Sequence, residues 1–139
     1  MKKLLLIISI LALVLLPIGC SDQNMLKDTI ESVLAGLTAT YTIEVGGTEG
    51  LNFSGRYAVM TEEYDPVNLV ASNSHSYDVS GNIPAQYTAE NATSVAGMFQ
   101  KKSEAGTLEV KILKGEELID SATTSDTWGA VLVTAVNQL

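Results

Sequence analysis

The sequence predicts a mainly β protein: a seven- or eight-stranded antiparallel β-sandwich of Ig-like type, preceded by one short amphipathic helix. Two patterns support this prediction. Apolar residues recur every three to four positions over residues 23–37, and then at alternate positions in many segments from residue 38 onward. Turn-forming residues, above all glycine, separate the alternating segments at short intervals, which is typical of a β-sandwich.

The chain has 139 residues, and we divide it into three parts. Residues 1–19 are predicted to be a lipoprotein signal peptide, residues 20–37 a lipid-anchored N-terminus with a short helix, and residues 38–139 the β-sandwich domain. The length that remains after the signal is sufficient for one domain with a single core.

The N-terminus has the pattern of an export signal. Lys2 and Lys3 precede an apolar run over residues 4–16 that is broken only by Ser9. This run is shorter than the roughly 20 apolar residues that a membrane-spanning helix requires. We therefore expect the segment to be cleaved.

The end of the signal resembles a lipobox, in which a small residue precedes a cysteine that receives diacylglycerol. Gly19 and Cys20 match that pattern, while Pro17 stands where leucine is usual and Leu16 lies one place earlier. The resemblance implies a lipidated Cys20, carrying palmitate, and attachment to the cell membrane or outer membrane on the side facing away from the cytoplasm. An uncleaved anchor with a buried Cys20 and ordinary secretion are the alternatives.

The helix predicted for residues 23–37 is amphipathic. Six apolar residues share one of its faces: Met25, Leu26, Ile30, Val33, Leu34 and Leu37. Such a helix can pack on its own domain, dock on a partner or lie at a membrane surface. Packing on the domain, or a role as a spacer, is the favoured interpretation. A position at the lipid surface is less favoured, because Lys27 is the only lysine of the helix.

Alternating segments predict the strands that follow. They are 41–45, 51–59, 77–79, 83–87, 95–100, 108–112, 118–123 and 128–136, with a hairpin turn at 114–117. A loop is predicted over 61–66, because three of its residues are acidic and Pro66 cannot donate to a ladder. Together with a polar turn at 72–76, this makes 61–76 the longest irregular stretch and a candidate binding loop or mobile flap.

Charge and cysteine content restrict the function. The net charge is −8, and it becomes −10 for residues 20–139, because Lys2 and Lys3 are lost with the signal. An acidic domain repels phosphate groups, which argues against nucleic acid as a partner and against a polybasic membrane patch. Cys20 is the only cysteine, so no internal disulfide and no site built on several thiolates is possible.

The sequence contains no recognisable catalytic or metal-binding set. His75 is the only histidine, and the serines on either side of it would face away from it in a strand. Glu62, Glu63 and Asp65 offer oxygen ligands, but the spacing of a calcium-binding loop is missing. We therefore predict that the protein is not an enzyme and has no cofactor.

Four aromatic residues could line a pocket for a sugar or a lipid: Tyr57, Tyr77, Tyr87 and Trp128. Aromatic side chains more often fill a sandwich core or end a strand. For Trp128 the core is the favoured position.

Two parts of the chain resemble MmpS-like domains. The segment Y-T-I-E-V-G-G at 41–47, followed by L-N-F-S at 51–54, is similar to the opening of those domains. The segments at 108–112, 114–116, 118–124 and 128–133 look like their final three strands. Members of that family often carry L-P-W in mid-domain, where this chain has Ile83-Pro84-Ala85. The resemblance implies a small extracytoplasmic β-sandwich, in some relatives an accessory to a lipid or siderophore exporter.

These observations predict a non-enzymatic binding or accessory module that is anchored to a membrane and has a protein partner in the cell envelope, for instance a transport complex. The alternative is a carrier of a small hydrophobic ligand held between the sheets; a hydrolase is a third and weaker possibility. An apolar cavity of roughly 300 Å³ or more would favour the carrier. A packed core with an exposed apolar patch would favour the partner-binding module.

Overall fold

The structure, a computed structural model, describes residues 23–137. The predicted signal peptide and Cys20 lie outside the described residues. One helix, α1 (Gln23–Leu37), precedes eight strands: β1 (Ala39–Gly47), β2 (Asn52–Asp65), β3 (Leu69–Asn82), β4 (Ala85–Ala92), β5 (Ser94–Lys101), β6 (Leu108–Lys114), β7 (Glu117–Thr124) and β8 (Ala130–Val136).

The eight strands form two four-stranded antiparallel sheets, which confirms the predicted β-sandwich. Sheet A has the order β4-β1-β6-β7, and sheet B has the order β3-β2-β5-β8. Only β2–β3 and β6–β7 are consecutive neighbours within one sheet, so the other connections cross between the sheets. The β6–β7 hairpin turns at Gly115, whose positive φ of 62° suits glycine. The hairpin predicted at 114–117 is thereby confirmed.

Helix α1 has the predicted bounds and packs on the domain through its apolar face. Ile30 and Leu34 are buried, whereas Met25 and Val33 on the same predicted face are exposed. The main contacts of the helix are with β2. No helix among residues 23–137 is long and apolar enough to cross a membrane.

The core lies between the two sheets. It is built from the inward-facing residues, which alternate with outward-facing residues along each strand. Phe53 and Phe99 of sheet B lie with their ring centroids 6.2 Å apart. The largest apolar side chains that are almost completely buried are Tyr41, Ile43, Val45, Phe53, Val95, Phe99, Leu108, Val110, Ile112 and Val133. These side chains fill the space between the sheets, as expected for a packed protein interior.

The stretch 61–76 is not irregular, so the predicted loop at 61–66 and the predicted polar turn at 72–76 are wrong, and the candidate binding loop or mobile flap is part of a regular hairpin. Strand β2 continues through 61–65, and 69–76 belongs to β3, with the two strands paired from Asn52–Asn82 to Asp65–Leu69. Strand β5 accompanies β2 only as far as Met60. Beyond that point β2 and β3 form a two-stranded ribbon in which no residue is fully buried, and the sequence there does not alternate regularly between apolar and polar residues.

The turn of this ribbon explains why Asp65 and Pro66 occur where the chain passes from β2 to β3. The Asp65 carboxylate oxygen Oδ1 accepts hydrogen bonds from the backbone N–H groups of Val67 and Asn68, both at 2.7 Å. An aspartate that bonds the backbone two and three residues ahead stabilises a tight turn. Pro66 therefore lies in the turn and does not interrupt either strand.

Trp128 does not lie in the core, and the prediction that it does is wrong. Its side chain is 49% exposed, and β8 begins two residues later, at Ala130. The residue stands in a turn with a φ of 55°, and its carbonyl oxygen accepts a hydrogen bond from Gln100 Nε2 at 2.9 Å. These constraints hold the residue in the connection before β8. The buried side chain nearby is that of Lys101. The backbone N–H of Lys101 donates a hydrogen bond to the backbone carbonyl oxygen of Gly129.

Candidate protein-binding surface

The outer face of sheet B carries a group of exposed apolar side chains from three of its four strands, β2, β5 and β8. We call this group the apolar patch; its members are Met60, Met98, Leu132 and Val136, exposed by 44, 59, 65 and 63%. Successive side chains of a strand point to opposite faces. The patch therefore lies on the reverse side of the positions that form the core, and no part of it is needed to fill the interior.

Strand register brings the members of the patch together. Met98 and Leu132 are direct cross-strand partners of β5 and β8. Side chains in such pairs have Cβ atoms roughly 5 Å apart and are in contact range. Ser94 is the partner of both Met60 and Val136, so these two side chains flank one small residue.

Small side chains connect the two ends of the patch. Ala96 of β5 lies between Ala58 of β2 and Thr134 of β8. None of these three side chains carries a charge, and all three are shorter than the side chains of the two methionines. The outer face of β2, β5 and β8 is therefore a low, largely apolar surface over several rows of the sheet.

An ion pair borders the patch on its β3 side. Arg56, the cross-strand neighbour of Met98, donates two hydrogen bonds to the Asp78 carboxylate, at 2.7 and 2.9 Å. The hydrogen bond from Arg56 lowers the pKa of Asp78, and the same bond raises the pKa of Arg56. Because both groups are exposed, the pair contributes little to folding stability. Its effect here is to neutralise the only acidic residue of β3.

The sequence prediction missed this surface, although a signal for it exists. Strand β8 reads Ala-Val-Leu-Val-Thr-Ala-Val, and β5 likewise has an apolar residue, Met98, between buried positions. Strands that have apolar residues at both odd and even positions are usually covered on both faces. In this structure one of those faces remains uncovered among the described residues.

The three tyrosines singled out from the sequence do come together, at the edge of the sandwich where β3 and β4 lie. Tyr57 and Tyr77 are cross-strand partners with stacked rings 4.9 Å apart, and Tyr87 of sheet A lies 5.6 Å from Tyr57. Tyr57 is buried, Tyr87 is partly buried and Tyr77 is about half exposed. Trp128 does not join this cluster.

Burial is the main cause that raises the pKa values of Tyr57 and Tyr87. The two phenols are therefore neutral over the physiological pH range and can act only as hydrogen-bond donors or acceptors. The cluster closes the edge of the core with its rings. It offers one partly exposed aromatic side chain, that of Tyr77, to the surroundings.

An open cleft of about 480 Å³ lies on sheet A, lined by Glu44, Val45, Gly46, Pro84, Ala85, Gln86, Glu109 and Lys111. Its lining comes from β1, β4, β6 and the residue before β4, not from both sheets. Lys111 Nζ lies 3.1 Å from Glu109 Oε2, so its one cation is already paired. The cleft does not have the apolar, enclosed character expected for a hydrophobic carrier.

The remaining candidate residues lie along the ribbon and are not brought into a cluster. His75 is an exposed residue in the middle of β3. Glu63 accepts a hydrogen bond from Asn73, and Asp65 is occupied by the turn. Within residues 23–137, no group of three histidine, cysteine, aspartate or glutamate side chains could hold a metal ion.

The fold and the apolar patch together define a β-sandwich domain with one uncovered apolar sheet face. In comparisons with known proteins, no family model matches the chain and no curated protein matches it.

Proposed function

We propose that the protein is a non-enzymatic, extracytoplasmic lipoprotein that is anchored through Cys20 and binds a protein of the cell envelope with its apolar patch. The observation that supports this function is the exposed Met98–Leu132 pair on the outside of a sandwich whose interior is already filled. Apolar groups that are not needed for the core, yet lie together on the surface, are typical of interaction sites.

The composition of the patch suits a protein partner. Methionine is enriched at interfaces and adapts its flexible side chain to a partner surface. The ion pair of Arg56 and Asp78 lies at the border of the patch, where a polar rim is expected. A flat sheet face can cover a similarly flat partner, whereas a small ligand needs a concave site that surrounds it.

A carrier of a small hydrophobic ligand is the alternative. It would need space between the sheets, where the side chains of residues such as Phe53, Phe99 and Ile112 are packed. For this reason the partner-binding module is preferred. The two functions predict different molecules bound to the protein in cells.

Site-specific photocrosslinking in intact cells tests the proposal. A photoreactive amino acid is placed at Leu132 in the patch and, as a matched control, at Leu118 of β7, which is 52% exposed. We expect a discrete protein adduct from position 132, identified by mass spectrometry, and none from position 118. In the same assay Met98→Asp should lower the yield of this adduct about tenfold or more, because a charge is then buried in the interface.

Two results would contradict this function. Equal yields of adducts at positions 132 and 118 would mean that the patch has no preferred partner. A lipid attached at position 132 in place of a protein would favour a membrane- or lipid-binding surface.

A further inference from the structure

A sandwich of two open sheets has four edge strands: β4 and β7 in sheet A, and β3 and β8 in sheet B. The outer edge of such a strand exposes unpaired N–H and C=O groups, which can pair with a strand of another molecule. Proteins that remain monomeric commonly block these edges with charges, prolines, irregular register or covering side chains.

Three of the four edges are protected in this way. The backbone N–H of Thr134 on β8 donates to the Asp120 carboxylate of β7 at 2.8 Å, so a side chain already occupies that edge. The pairing of β6 with β7 is irregular between Ile112 and Leu113. Strand β4 has only eight residues, begins just after Pro84, and pairs irregularly with β1 near Ala39.

Strand β3 lacks these protections apart from a single charge, that of Asp78, which is paired with Arg56. It pairs with β2 through fourteen consecutive residues without a register shift, from Leu69 to Asn82. It contains no proline, lysine or arginine, and most of its residues are exposed. Its second edge is unpaired among the described residues. A long, regular and unprotected edge is a template for adding another strand.

Charge distribution sets this edge apart from the rest of an acidic chain. Between residues 66 and 89 the only charged residue is Asp78, and Arg56 pairs with it at 2.7 Å. The chain as a whole has a net charge of −8, so two copies repel each other over most of their surfaces. Contact along β3 avoids that repulsion.

We propose that β3 pairs antiparallel with β3 of a second copy of this chain. A two-fold interface needs a surface that is complementary to itself, and identical strands in antiparallel register meet that requirement. The chain thus supplies both the free edge and a matching strand whose one charged residue, Asp78, is paired with Arg56. Such pairing fuses the two copies of sheet B into one eight-stranded sheet.

The dimer has a consequence for binding. A two-fold axis that relates antiparallel strands of one sheet is perpendicular to the sheet, so both apolar patches face the same side. A partner with two matching sites would then be held by both patches at once, which raises its overall affinity. The pairing itself does not depend on the function proposed for the patch.

Cysteine crosslinking of the full chain in native membranes tests this dimer. Ser74→Cys places a thiol in the middle of β3, and Ser121→Cys places one on β7 at an equally exposed serine. A short bismaleimide reagent is added, and the parent chain, whose only cysteine is Cys20, gives the background. We expect a species of twice the chain mass with Ser74→Cys and only background with Ser121→Cys.

A charge on the edge gives a second measurement. Adding Ser72→Asp and Ser76→Asp to the Ser74→Cys chain should reduce the crosslinked dimer several-fold, because like charges then oppose one another across the strands. The same reagent with Ser121→Cys checks that the domain is not simply aggregated. Background crosslinking at position 74, or equal crosslinking at positions 74 and 121, would overturn the proposal. None of these variants replaces Met60, Met98, Leu132 or Val136, although Ser74 lies next to Met60. The readout is a dimer of this chain, whereas the Leu132 experiment detects an adduct with another protein, so the two results are distinguishable.

Discussion

Lys101 is completely buried, which is rare for a lysine without a carboxylate partner. Its ammonium group donates to the backbone carbonyl oxygens of Gly106 at 2.6 Å, Ser125 at 2.9 Å and Glu104 at 3.4 Å. The three donors of an ammonium are thereby matched by three acceptors. One side chain thus joins the connection between β5 and β6 to the connection between β7 and β8. Residue type gave no signal for this role, because lysine is normally a surface residue.

Replacing this lysine should weaken the fold. Lys101→Met keeps most of the volume but leaves three carbonyl groups without their donor, and we expect the free energy of unfolding to fall by about 2–4 kcal/mol. Chemical denaturation of residues 23–139 measures the change. The matched control is Lys102→Met, an exposed neighbour, with an expected change within about 0.5 kcal/mol. Equal effects of the two substitutions would contradict the role given to Lys101.

Strands β2 and β5 approach each other closely around one aromatic ring. A Cβ atom on Gly55 would lie 2.5 Å from Phe99 Cδ1 and 2.8 Å from the carbonyl oxygen of Met98. On Gly97 it would lie 2.7 Å from Phe99 Cε2. The ring of Phe99 therefore occupies the space that side chains at these two positions would otherwise take. Both glycines are required by packing rather than by a turn.

Gly55→Ala should destabilise the protein, because the added methyl group meets a buried ring and a backbone oxygen. We expect a loss of about 1–3 kcal/mol in the free energy of unfolding, as for other overpacked cores. Gly81→Ala in neighbouring β3 is the control, since its nearest atom would be Phe53 Cε1 at 3.8 Å. That substitution should be neutral or stabilising by up to about 1 kcal/mol. Thermal unfolding distinguishes the two outcomes, and a stable Gly55→Ala protein would contradict this packing.

Element prediction succeeded where one face of a strand is buried. The alternation at 41–45, 51–59 and 108–112 marks strands that have the core on one side. The first and last of these segments lie within β1 and β6, and the second begins one residue before β2. It failed at 61–76, where no residue of the paired strands is fully buried and polar residues occur on both faces of the ribbon. Period-two patterning reports burial of one face, and it gives no signal where neither face is buried.

For the molecule as a whole, the proposed anchor and the acidic body have complementary roles. Residues 20–139 carry a net charge of −10, which keeps the domain soluble and away from anionic headgroups. Attachment would then depend on the acyl chains of Cys20, since stable anchoring requires two or more such signals. The proposed patch is thereby left free to meet a protein.

Replacing Cys20 tests this arrangement. We expect Cys20→Ala to abolish acylation and to release the protein from the membrane fraction, whereas the nearby Ser21→Ala should leave it bound. Fractionation of cells and the intact mass of the purified protein give the two readouts. Continued membrane retention of Cys20→Ala with residues 1–19 still attached would instead support an uncleaved membrane anchor.

The sequence alone determined the features that depend on local patterning: the bounds of α1, the two-residue period of most strands, the hairpin at 114–117 and hence the β-sandwich. It singled out three tyrosines as candidate pocket-lining or core residues, but it did not predict that they would contact one another or which of them would be buried. Tertiary structure decided the exposure of Trp128, the burial of Lys101 and the position of the apolar patch. The reason is that exposure depends on which strands become neighbours. Leu132 and Val133 are adjacent apolar residues of one strand, and only the assembled sheets place one outside and the other in the core.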